Sequence, residues 1–203
     1  MAWWSDTAGG IAAEYKNAEL DFSVTTEDSW STADAATTTL LTQMTSQSAV
    51  AHARTKHNDA KTESVNSAIL VVHSKLPLGA PGDNPNLILA KEKAWAEGFK
   101  KSGAGFLDLM QERVKLLRAP TKFVGKEKPL KIKGVNFYQM DAINTKIPEA
   151  QTKQRYICTF KDGYYVYFVL SLNDENDADY ATMMKVVESF RSAQREKKQT
   201  APK

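Results

Sequence analysis

Apolar and polar positions alternate most clearly over residues 164–172. Tyr164, Val166, Phe168, Leu170 and Leu172 fall on one side of an extended chain, and Tyr165, Tyr167 and Val169 on the other. Both sets are apolar or aromatic, so the pattern predicts a central strand covered on its two faces. A second strand is predicted over 154–160, with Lys161-Asp162-Gly163 as the hairpin turn between them. An amphipathic helix follows over 174–190, where Tyr180, Met183, Met184, Val187 and Phe190 recur at helical spacing. A hairpin that runs into a core-facing helix is the closing unit of an α+β domain.

The earlier chain fits that class. Residues 14–26 alternate around Asn17-Ala18-Glu19, which predicts two short strands, with Leu20, Phe22 and Val24 on one face of the second and Trp30 anchoring it. A helix is predicted over 33–57 with Ala36, Leu40, Met44 and Ala51 near one stripe, although its many Thr and Ser residues lower helix propensity. Residues 67–73 form an apolar strand and 86–93 another, separated by a loop over 77–85 rich in Pro and Gly. Phe106, Leu109, Met110, Arg113 and Leu117 mark a helix over 103–118, which Pro120 ends. Strands over 123–128 and 134–143 complete the order ββ-α-ββ-α-ββββ-α. Neighbouring strands joined by short turns imply an antiparallel sheet covered by helices on at least one face.

Composition narrows the class without naming an activity. With 203 residues, 42% hydrophobic and 25% charged, the chain suits one domain, expected over 13–191, with a flexible leader over 1–12 and a charged, flexible tail over 192–203. Trp3 and Trp4 are unusual in such a leader and are candidates to dock on the body. No run approaches the roughly 18 to 20 apolar residues of a membrane span, so no transmembrane segment is expected. The first ten residues have no charged or apolar signal-like region, and the lone Cys158 excludes an internal disulfide. Charge is uneven: residues 91–133 carry twelve Lys and Arg against five Asp and Glu. That segment could steer an acidic partner or anionic surface, but it lacks the interleaved aromatic residues of a nucleic-acid site, and no nucleic-acid partner is expected.

Individual chemical motifs fail on spacing. The acidic run 173–179 invites a calcium reading, yet counting from Asp174 puts Asp179 at the sixth position and Lys185 at the twelfth, where an EF-hand needs glycine and glutamate. It reads instead as a cap for the last helix. His52 and His57 are five apart rather than four, so they do not form a zinc pair, and no metal or cofactor is expected. Ser74, His73 and Asp83 can be written as a triad, but no nucleophile turn surrounds the serine. Cys158 shares a strand face with Tyr156 and Phe160 and reads as a small buried side chain.

The residues carry one resemblance. Tyr15-Lys16-Asn17-Ala18-Glu19-Leu20-Asp21-Phe22-Ser23-Val24, with Trp30 six residues later, resembles the opening hairpin of PsbP-like domains. Gln154-Arg155-Tyr156, Asp162-Gly163-Tyr164-Tyr165-Val166-Tyr167-Phe168 and Val187-Glu188-Ser189-Phe190 resemble the closing pattern of that superfamily. Residues 69–74 and Asn84-Pro85-Asn86 fit its middle strands, so the likeness spans about residues 14–191. It implies an antiparallel sheet of about six or seven strands flanked by helices. The superfamily includes a photosystem accessory protein, a Ran-binding nuclear-import cofactor and bacterial envelope forms such as DcrB, which act mostly by binding. The resemblance thus implies an extracytoplasmic or periplasmic setting and carries over no catalytic residues. Glu27-Asp28-Ser29 stand where that pattern usually has Pro and Gly before the tryptophan.

Three functions follow as expectations. The first is a non-catalytic protein-binding or assembly module, meeting another protein through the basic side or through the 77–86 loop with Leu76, Leu78 and Leu87. The second is a small-molecule carrier with Tyr138, Tyr165 and Tyr167 lining a pocket between sheet and helix. The third is a hydrolase with a constellation not visible in sequence order.

Overall fold

The computed structural model describes residues 3–4, 13–57, 66–81, 83–94, 99–145, 152–172 and 177–192. The strands are β1 (Trp3–Trp4), β2 (Glu14–Asn17), β3 (Phe22–Thr25), β4 (Ser31–Thr32), β5 (Ser67–Ser74), β6 (Asn86–Lys93), β7 (Thr121–Ile132), β8 (Val135–Asn144), β9 (Thr152–Lys161), β10 (Tyr164–Leu172) and β11 (Arg191–Ser192). The helices are α1 (Ala35–His57), α2 (Gly103–Leu116) and α3 (Ala178–Ser189). A seven-stranded sheet runs β4-β5-β6-β10-β9-β8-β7, and a four-stranded sheet runs β1-β2-β3-β11. Every pairing is antiparallel.

The β10 alternation is the axis of the packing. Val166, Phe168, Leu170 and Leu172 enter a core shared with α3 and the small sheet, where Phe190 stacks on Phe22 at 5.1 Å and meets Phe137 edge-on at 5.2 Å. Tyr165, Tyr167 and Val169 enter a second core under α2 with Phe106, Leu107 and Leu109. The two faces of one strand therefore hold the two halves of the hydrophobic core together. Tight turns fix the register: Lys133-Gly134 joins β7 to β8 and Asp162-Gly163 joins β9 to β10, all four residues at positive φ as a primed hairpin turn requires.

Helix α1 departs from its predicted orientation. Leu40 and Met44, expected on the inner stripe, are 58% and 60% exposed, Ala36 is exposed as well, and Ala51 is only half-buried. The inward side is instead Leu41, Thr42, Ser46 and the buried Ala49. The reason lies in β5, whose outer edge is paired by β4 only at His73 and Ser74. Beyond that pairing, Ala33 donates its N–H to the Val72 carbonyl at 2.9 Å, Ile69 donates its N–H to Thr42 Oγ1 at 2.9 Å, and Ser46 Oγ donates to the Ser67 carbonyl at 3.0 Å. Hydroxyls on the helix thus satisfy a strand edge that would otherwise be open to another chain. The Thr and Ser content that weakens the helix by propensity serves this docking. Replacing Thr42 by valine and Ser46 by alanine together is expected to cost about 1–3 kcal/mol, read as a lower urea midpoint with unchanged slope.

The other edge, β7, extends beyond its predicted 123–128 span because Gly125 and Pro129 interrupt its apolar pattern. Its pairing shifts between Val124 and Lys128, so both residues sit at or beside a bulge. Edge strands tolerate this chemistry. Helix α3 starts at Ala178, with Asp177 as its cap: its side chain accepts from the Asp179 N–H at 3.0 Å, while 174–176 of the predicted span lie outside the described residues.

Candidate functional site

The connection from β5 to β6 is a pinned loop with leucines at its surface. Ala80 donates its N–H to the Pro77 carbonyl at 3.0 Å, closing a turn whose third residue, Gly79, has φ +87°. Leu78 sits at the tip and is 42% exposed, and Leu76 is 37% exposed. The Asn84 amide braces the loop from inside: its Oδ1 accepts from the Leu76 N–H at 2.8 Å, and its Nδ2 donates to the Leu76 carbonyl at 3.0 Å. Ser74 Oγ donates to the same carbonyl at 2.6 Å, and Lys75 donates its N–H to the Pro85 carbonyl at 3.0 Å. The Lys75 ammonium reaches Asp179 in the first turn of α3 at 2.8 Å. Such a loop presents its leucines with little ordering left to do on binding. Leu87 does not join them. It is fully buried in the α3-side core, because the β6 alternation places Leu87 and Leu89 on that face.

Beside the loop, the sheet ends in a shallow polar depression of about 330 Å³ lined by Asp83–Asn86 and by Asn144, Thr152, Gln154 and Ser171. Strand register builds it. Asn86 on β6, Ser171 on β10 and Gln154 on β9 stand directly opposite one another, and Asn144 and Thr152 form the next pair along. Directly opposed residues share a face, so these side chains form a row across three strands spaced about 4.8 Å apart. Sequence reasoning did not find this row, since its members lie on different strands. The signal was nevertheless present, because Ser171 continues the Tyr165, Tyr167, Val169 series with a polar residue.

No known family profile and no curated protein matches the sequence. Among solved structures, the solution structure of cyanobacterial PsbP (CyanoP) from Synechocystis sp. PCC 6803 superposes with a TM-score of 0.53 at 12% identity, covering 93% of this chain and 96% of that one. The fold is PsbP-like. PA94, a protein of unknown function from Pseudomonas aeruginosa, matches with a TM-score of 0.42 at 12% identity over 89% of this chain and 95% of its own. At such identity the likeness concerns the fold alone.

The remaining candidates have definite places in this PsbP-like domain. Tyr165 and Tyr167 are buried beneath α2, with the Phe106 ring 5.0 and 4.5 Å from theirs. Tyr138 shares that face and is half-buried, and a Cβ on Gly103 would fall 3.2 Å from its ring and 2.1 Å from the Cys158 carbonyl oxygen. The start of α2 therefore lies directly on β9, and aromatic side chains fill the space between sheet and helix at this point. The basic segment divides. Lys91 is buried against Glu19 and the Tyr164 ring, and Arg113 is buried against Glu92. Lys122, Lys126, Lys128, Lys131 and Lys133 are exposed along β7 and its turn, where charge discourages edge-to-edge pairing.

His73 and Ser74 project from opposite faces of β5, as their partners Leu87 and Asn86 show, so they do not converge into a triad. The side chains of His52 and His57 lie outside the described residues, as do 173–176 and 193–203. Trp3 and Trp4 pair with Lys16 and Tyr15 through their backbones. Among the described residues, no three His, Cys, Asp or Glu side chains gather as a metal site. Cys158 is fully buried, and burial pushes its thiol well above the usual range, which suits a packing role. No described helix is long and apolar enough to cross a membrane.

Proposed function

We propose that this chain is a non-catalytic protein-binding module that meets another protein through the β5–β6 loop. The observation that supports it is the pair of exposed leucines, Leu76 and Leu78, on a loop braced by Asn84 and tied to α3. Apolar side chains on a loop that is already ordered lose little conformational freedom on contact, which favours recognition over flexibility. The filling of the sheet–α2 interface by Phe106 leaves the carrier reading without comparable support.

The test is a photo-crosslinking residue at Leu78 in the cells from which the protein derives, compared with the same residue at exposed Lys131 on the opposite edge. Position 78 is expected to give a discrete adduct and position 131 none. The Leu76→Ser/Leu78→Ser variant is expected to lose binding to that adduct's protein while its Tm stays within about 2 °C of the parent. Equal labelling at both positions, or unaltered binding by the variant, would exclude the loop as the contact.

A further inference from the structure

We infer that the depression beside the loop takes the main chain of an extended, uncharged, leucine-containing peptide segment of the partner. This inference rests on the reading of the loop as a contact surface. The argument starts from what the depression lacks. In a chain that is 25% charged, the eight described residues that line it include one charge, Asp83, and no Lys, Arg or His. An anion would give up hydration there and meet the repulsion of Asp83, and a cation would meet only that one exposed carboxylate, whose attraction water screens. The walls offer neutral donors and acceptors instead: the amides of Asn86, Asn144 and Gln154 and the hydroxyls of Thr152 and Ser171.

The alignment of these groups in a line also favours a ligand that is itself a chain. Asn86, Ser171 and Gln154 repeat at the inter-strand distance, about 4.8 Å, in a line across the sheet. A peptide main chain carries alternating N–H and C=O groups along its length and can meet a row of amides and hydroxyls without any charge. The same row could serve the hydroxyls of a glycan. The neighbouring leucines decide between them: Asn84 both lines the depression and bonds the backbone of Leu76, so the polar row adjoins the loop that carries Leu76 and Leu78. A peptide fills both parts, with its backbone on the row and an apolar side chain against Leu76 and Leu78. A glycan has nothing to set against the leucines.

Internal bonds leave the row in a defined orientation. Asn86 Nδ2 donates to the Asn84 carbonyl at 3.0 Å, and the Tyr156 hydroxyl donates to Gln154 Oε1 at 3.4 Å. The first turns the Asn86 amide by way of the loop, and the second directs the Gln154 amino group away from Tyr156, which prepares it to donate.

The experiment titrates the full ¹⁵N-labelled chain with acetyl-leucyl-glutaminyl-leucyl amide, following backbone signals and the side-chain NH₂ signals of Asn86 and Gln154. Both side-chain signals and those of Leu76 and 78–80 are expected to shift together along one saturation curve. The glutamyl analogue of the peptide, and the Gln154→Glu variant with the parent peptide, are each expected to bind roughly tenfold more weakly. The variant's own spectrum shows whether it is folded. Shifts at Leu76 and 78–80 without the two side-chain amides would overturn the inference and leave the loop contact standing. Shifts of the amides by maltotriose and not by the peptide would overturn it in favour of a glycan. No shift with either probe would also overturn it, while the crosslinking result at Leu78 judges the loop independently.

Discussion

Replacing Glu92 by leucine is expected to cost about 3–5 kcal/mol of stability, and replacing Arg113 by methionine a similar amount. Glu92 is 0% exposed and Arg113 4% exposed. Their side chains meet in a two-point contact, Arg113 Nη2 to Glu92 Oε1 at 2.6 Å and Nη1 to Oε2 at 3.0 Å. Removing either partner leaves the other's charge in the core between the sheet and α2 without this two-point contact. The double variant is expected to be more stable than either single one, because two apolar residues of similar size need no ionic partner. A double-mutant cycle by urea unfolding measures this. Additive losses in the cycle would show that the two residues act separately. The pair also joins distant parts of the chain, β6 and α2, and so sets the position of the helix that covers Tyr165 and Tyr167.

That pair marks the boundary of what is legible in sequence. Arg113 falls on the apolar stripe of its predicted helix, at helical spacing from Phe106, Leu109 and Met110, and a charged residue there calls for a buried partner. Which residue supplies it depends on a contact between the end of β6 and a helix ten residues further on, and no local pattern encodes that contact. The central strand, the closing hairpin and the last helix were readable because alternation and turn chemistry are local. The direction of α1 was not readable. A stripe of Leu40 and Met44 carries the usual signature of an inward face, but β5 needed hydroxyls at its edge more than the core needed two further apolar side chains. For the candidate site, the loop and its two outer leucines were visible from Pro and Gly punctuation. The inward turn of Leu87 follows from the strand alternation that begins one residue earlier. The polar row across Asn86, Ser171 and Gln154 requires the register of three strands, which only the folded sheet supplies.

Acidification is expected to weaken the fold through His73. The ring is fully buried on the α3-side face of β5, stacked on Trp30 with centroids 5.5 Å apart and joined through Nδ1 to Thr32 Oγ1 at 3.2 Å. Among the described residues its Nε2 has no hydrogen-bond partner. Burial lowers its pKa from 6.5 to about 4. Above about pH 6.5 the ring is neutral in both folded and unfolded chains and adds no pH dependence. As the pH falls from there towards about 4, the unfolded chain takes up a proton that the folded chain refuses, so stability is lost across this window and the loss levels off below it. The full effect is about 3 kcal/mol. Carboxylates titrate in the lower part of the same range, so the informative quantity is the difference between the parent and His73→Gln, whose side chain stays neutral throughout. That difference is expected to shift by about 3 kcal/mol in favour of the variant between pH 7 and pH 4. Parallel stability profiles for the two proteins would place the histidine in contact with water or with an acceptor, and would exclude a dry setting between Trp30 and Thr32.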